Sequence, residues 1–145
     1  MNNFGVNEDA LLEMKKIDAD ELVRICNELG LTVYDTVGHE KTYGNMKISY
    51  RSNSEIWDRD VIDPSTLLYA YFSNVKFCPD SIDWFLKLEF NEITKKYSLQ
   101  PTPEMSKFMT VGMVKSILLD MVEKIKQAEI DYKLKNMEND FKWLS

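Results

Sequence analysis

Toward the C-terminus the apolar residues run in two series that do not share a phase. Val114, Leu118, Met121, Ile125 and Ala128 recur at steps of four, three, four and three, and Ile130, Leu134, Met137, Phe141 and Leu144 repeat those steps. Such spacing predicts one long amphipathic helix. The step of two from Ala128 to Ile130 turns the seam by about 200° at 3.6 residues per turn. A straight helix therefore cannot bury both seams in one core. Either it kinks near Ala128 and folds back, or it keeps the second seam for another copy or for a different protein. Glu129–Lys133, Asp131–Lys135 and Glu138–Lys142 have the i,i+4 order that supports a helix without a core. Met137, Phe141 and Trp143 are residue types favoured at binding surfaces, which favours a partner. The whole span 104–145 reads as helix, with a bend expected near Thr110 to Gly112.

Upstream signals are more local. A first helix is expected after Asn7, with Glu8 and Asp9 in its first turn and Lys15 and Lys16 at its end, an order that complements the helix dipole. A second follows Asp18, which stands at capping-box spacing from Glu21. Its apolar face is Leu22, Ile25, Cys26 and Leu29, and Gly30 supplies the stop. Leu31 to Val37 and Met46 to Arg51 then alternate around a turn bounded by Gly38 and Gly44, as in a β-hairpin. Residues 52–60 read as a polar loop. Asp63 and Pro64 read as N-cap and N1 of a short helix carrying Leu67, Leu68, Tyr71 and Phe72. Residues 80–98 fit two periods. Ile82, Leu86, Ile93 and Tyr97 suit a helix; Trp84, Leu86, Leu88 and Phe90 alternate as in a strand. Length and good helix formers favour helix. The expected fold is a single α+β domain over 1–145. It has N-terminal helices, a small antiparallel β-hairpin or three-stranded sheet, and a helical C-terminal half ending in a long amphipathic helix.

Catalytic chemistry finds little to work with. His39 is the only histidine, and Cys26 and Cys78 are far apart and in no C-x-x-C pair, so zinc ligation and a structural disulfide are not expected. Cys78 before Pro79-Asp80 at an expected helix start could be an activated thiol, but nothing in the sequence brings His39 to it. Asp58, Asp60 and Asp63 in WDRDVID could hold a divalent cation. The segment lacks the glycine and distal glutamate of a calcium loop, and Arg59 sits among the acids, so a solvated acidic loop is the expectation. Phosphate-cradling glycine motifs and a nucleophile elbow are absent from the sequence. No cofactor is expected.

Charge is unevenly spread. Residues 1–30 carry net −4, 31–51 net +1, 52–92 net −5 and 93–145 net +2, for −6 overall. That argues against direct nucleic-acid binding, which needs a cationic face, and admits a basic protein partner. The N-terminus has no signal-peptide pattern and no apolar run is long enough to span a bilayer, so a cytoplasmic protein without membrane attachment is expected. Lysine outnumbers arginine 15 to 3, a bias associated with AT-rich genomes. The functional expectation is a non-catalytic protein-binding module. In its sharper form it is a phage or mobile-element accessory protein that inhibits a host nucleic-acid-handling or defence protein. Asp58, Asp60, Ile130, Leu134, Met137, Phe141, Trp143 and Leu144 are its candidate contact residues. The rivals are a self-associating assembly protein that dimerises through the C-terminal helix, and a small enzyme or nucleotide-binding protein built on Cys78, His39 and the Asp58 to Asp63 cluster.

Overall fold

The computed structural model describes residues 11, 14–35, 44–50, 55–73, 78–103 and 110–144, and for Asp35 and residues 139–144 the backbone alone. Helix α1 spans Ala19–Glu28. It starts where Asp18 accepts a 2.9 Å hydrogen bond from the Glu21 amide, with Asp20 and Glu21 in the first turn favoured by the helix dipole. It ends in a paired cap. The Leu31 amide donates to the Cys26 carbonyl at 2.8 Å and the Gly30 amide to the Asn27 carbonyl at 3.2 Å. Gly30 sits at φ 72 with open space around its Cα, so backbone conformation alone demands glycine there. Leu22, Ile25 and Cys26 are fully buried and Leu29 packs against the same core, as the period predicts.

Among the described residues five strands follow: β1 (Thr32–Asp35), β2 (Gly44–Ser49), β3 (Thr66–Phe72), β4 (Ser81–Asn91) and β5 (Lys96–Thr102). They form one antiparallel sheet in the order β1-β2-β3-β4-β5. Val33, Ile48, Leu68 and Trp84 stand in register across four strands, beside Met46, Ala70 and Ile82. Helix α1 and a second helix, α2 (Val111–Leu144), pack on this face. The opposite face carries Tyr34, Lys47, Tyr69 and Asp83 as a second row in register, and its tyrosines remain exposed.

This architecture corrects the expected fold. The class is α+β, and the long C-terminal helix is present, but a five-stranded meander replaces the small hairpin or three-stranded sheet. The β1–β2 hairpin is real, and its turn lies outside the described residues. The helix expected after Asn7 also lies largely outside them. Two segments expected as helices are strands. Residues 80–98 form β4, a turn and the start of β5, because the alternating series ending in Phe90 prevails. Asn91 makes the reversal: its carboxamide oxygen accepts from the amides of Ile93 at 2.8 Å and Thr94 at 3.2 Å. Lys95 closes the turn at φ 62. The segment after Asp63-Pro64 forms β3, because Thr66, Leu68, Ala70 and Phe72 are buried while Tyr69 and Tyr71 face out, a period of two. Asp63 caps no helix. It occupies a left-handed turn at φ 50, a conformation aspartate tolerates better than most residues. A bulge between Ile48 and Ser49 shifts the register, so that the consecutive Leu67 and Leu68 are both fully buried.

The loop before β3 is less solvated than its polar composition suggests. Ile56, Trp57 and Asp58 are buried. The segment runs along the outer edge of β5: the Tyr97 amide donates to the Ile56 carbonyl at 2.6 Å, the Asp58 amide to the Tyr97 carbonyl at 2.8 Å, and the Leu99 amide to the Pro64 carbonyl at 2.8 Å. These bonds occupy backbone groups that an edge strand otherwise leaves open.

Candidate protein-docking site

Helix α2 begins at Thr110, whose hydroxyl accepts from the Met113 amide at 3.2 Å. The expected bend near this point is the start of the helix; residues 104–109 lie outside the described set. From Val111 to Ala128 the first seam is core: Val114, Leu118, Met121, Ile125 and Ala128 are all buried. No break follows, and the helix runs on for 34 residues, about 50 Å.

Three contacts fix the rotation of its next turns. The Tyr50 hydroxyl donates to the Glu129 carboxylate at 2.6 Å. The Lys96 ammonium donates to the Tyr132 hydroxyl at 2.7 Å and also to the Glu55 carbonyl. The Lys135 ammonium lies 4.6 Å from the centre of the Phe90 ring, a cation–π contact, and Phe90 in turn meets Tyr97 edge-on at 5.0 Å. Burial, and then the bond to Glu129, push the Tyr50 hydroxyl up to about 12. The bond from Lys96, the larger cause, and one from Asn136 pull Tyr132 below its usual value.

Positions 128, 132 and 135 thus face the sheet. Ile130, Leu134 and Met137 lie about 180° around the axis, and they are 51%, 52% and 52% exposed. The second seam is a row of apolar side chains on a braced helix, turned away from its own domain. Phe141, Trp143 and Leu144 continue along the same helix, with side chains outside the described residues. Two of the expected i,i+4 ion pairs are diverted. Glu129 takes the Tyr50 hydroxyl and Lys135 takes Phe90, while Asp131 accepts from Gln127 at 3.1 Å. Sequence spacing showed the seam but carried no signal of these braces, which join residues up to 79 positions apart.

The acidic cluster is dispersed. Asp58 is buried, with one oxygen accepting from the Asp60 amide at 3.1 Å and the other from the Thr94 hydroxyl at 3.1 Å. It ties the loop to the β4–β5 turn. Asp63 pairs with Lys47 at 3.2 Å. Asp60 is exposed. Among the described residues no three His, Cys, Asp or Glu side chains converge as a metal group. Cys26 and Cys78 are free thiols. Burial pushes Cys26 up to about 12, Cys78 is half-buried, and His39 lies outside the described residues. Thr94 and Lys96 line two open clefts, of about 420 Å³ beside Trp57 and Asp60 and about 450 Å³ beside Tyr132 and Lys135. The Trp57 indole N–H is shut off from solvent and has no acceptor among the described residues, so it presents no donor to the first cleft. No helix among the described residues is long and apolar enough to cross a membrane. Comparison with protein-family models finds no match to this chain, and neither does comparison with curated proteins or with solved structures.

Proposed function

We propose that the protein is a non-catalytic protein-binding module whose docking element is the distal half of α2. The observation that carries this reading is the exposure of Ile130, Leu134 and Met137 on a helix side opposite the contacts that hold it to the sheet. Apolar side chains grouped in this way mark interaction sites more often than single exposed ones do, and a preformed helix meets a groove or a second helix with little ordering cost. The acidic loop adds little to the docking surface, since Asp58 is enclosed and Asp63 is paired. The sharper form, a host nucleic-acid-handling or defence protein as target, rests on net charge and composition alone.

The test pairs stability with binding. A Leu134→Asp, Met137→Asp chain should melt as the wild type does, and should lose the protein that the wild type retains from native-host extract or from solution. If it retains the same protein, or if it no longer folds, the seam is not a docking surface.

A further inference from the structure

We infer that the occupant of the distal seam is a second copy of this chain, paired parallel and in register. This rests on the docking reading above and names its partner. Placing Ile130 at heptad position d puts Leu134 at a and Met137 at d, and by spacing Phe141 at a and Leu144 at d. The residues held to the sheet, Ile125, Ala128, Tyr132 and Lys135, then fall at f, b, f and b, on the far side of the helix from the partner. Two copies can meet along this seam with their sheets pointing outward.

Charge sets the orientation. In a parallel pair each g residue faces the e residue five positions on in the other helix. Lys126 faces Asp131 of the second copy, and Lys133 faces Glu138. Symmetry doubles both attractions. All four side chains are exposed, and neither lysine forms an ion pair among the described residues. An antiparallel pair would instead set e against e, Asp131 against Glu138. The seam also has a boundary. Glu123 and Gln127 hold the preceding d and a positions and are exposed, so like charges at Glu123 end the zipper before it reaches the domain. Contact is thereby confined to about two heptads, which makes a dimer that responds to concentration.

Sedimentation of the full-length chain over a concentration series tests the pairing. A concentration-dependent dimer is expected, abolished by Leu134→Asp and tightened by Glu123→Leu, which extends the apolar seam. Lys133→Glu should weaken it about tenfold, and adding Glu138→Lys should restore it. Orientation is read from a Cys78→Ser chain carrying Ile130→Cys, with Cys26 buried. Oxidation should link residue 130 to itself, because only the parallel register brings the two within disulfide reach. A wild type that stays monomeric throughout, or a dimer indifferent to Leu134→Asp, overturns self-pairing. A dimer that Leu134→Asp dissolves but that does not link at residue 130 overturns the parallel register. A monomeric wild type, or a dimer that does not link at residue 130, leaves the docking reading standing, and that reading falls only on its own test.

Discussion

Tyr50, at the end of β2, and Glu129, on α2, share a 2.6 Å hydrogen bond across 79 residues of chain. The bond favours the protonated phenol, and so does burial, the larger cause. A hydroxyl whose pKa rises on folding, from 10.0 to about 12, contributes stability that is complete below pH 10 and lost as pH climbs through 12. Denaturant titrations from pH 8 upward should therefore show the wild type losing its advantage over Tyr50→Phe above pH 10. At neutral pH that substitution should cost about 0.5–1.5 kcal/mol. A difference between the two chains that does not change with pH would show that the bond does not form.

The two seams of α2 should respond unequally to truncation. Leu118 is fully buried, and Leu118→Ala should cost about 2–5 kcal/mol. Leu134→Ala, half-exposed, should stay within about 0.5 kcal/mol when measured on the monomer. Equal losses at the two positions would mean that the helix does not turn its distal seam away from the sheet.

Helix α1 offers a control on the core. Leu22→Ala and Ile25→Ala should each cost about 2–5 kcal/mol, since both are fully buried. Chemical denaturation with a loss below about half a kcal/mol would place this face in solvent.

Gly30 closes that helix at φ 72. Gly30→Ala should destabilise by about 1–2 kcal/mol, the cost of a Cβ in the left-handed region, and Gly30→Asn by less. Because no atom lies near the added Cβ, an alanine loss well above that range would point to a steric clash.

The two thiols should separate by accessibility. A disulfide reagent should titrate one thiol per native chain, the half-buried Cys78, and a second only on unfolding, because burial holds Cys26 protonated. Two fast-reacting thiols in the native state would show that α1 opens readily.

What could be read from the sequence was local. The Asp18 cap, the four-residue face of α1, the Gly30 stop and the β1–β2 alternation each lie within a few residues of one another. The phase break at Ala128 to Ile130 was equally local, and it is a change of face, with Ala128 buried and Ile130 exposed. The errors fell where pairing partners are distant. Leu86, Leu88, Lys87 and Glu89 are competent helix formers, and only pairing with β5 over this half of β4, and with β3 over Ser81 to Trp84, makes the alternation decisive. Thr66 to Phe72 likewise looked helical until flanked on both sides. Asp58 read as a solvated acid because its acceptor role depends on Thr94, 36 residues away.

The edge cover on β5 has a consequence for synthesis. Ile56, Trp57 and Pro64 lie against a strand that leaves the ribosome some 40 residues after Ile56 does. Through that interval Ile56 and Trp57 lack the strand they cover, with only earlier residues such as Tyr50 to meet Trp57, and the first three strands have only part of their final neighbourhood. A ribosome that pauses with residues 56–57 already outside the exit tunnel and β5 still within it should thus present a chaperone-binding segment that vanishes once β5 emerges, and synonymous codons that prolong that pause should lower the yield of folded protein without changing a single residue.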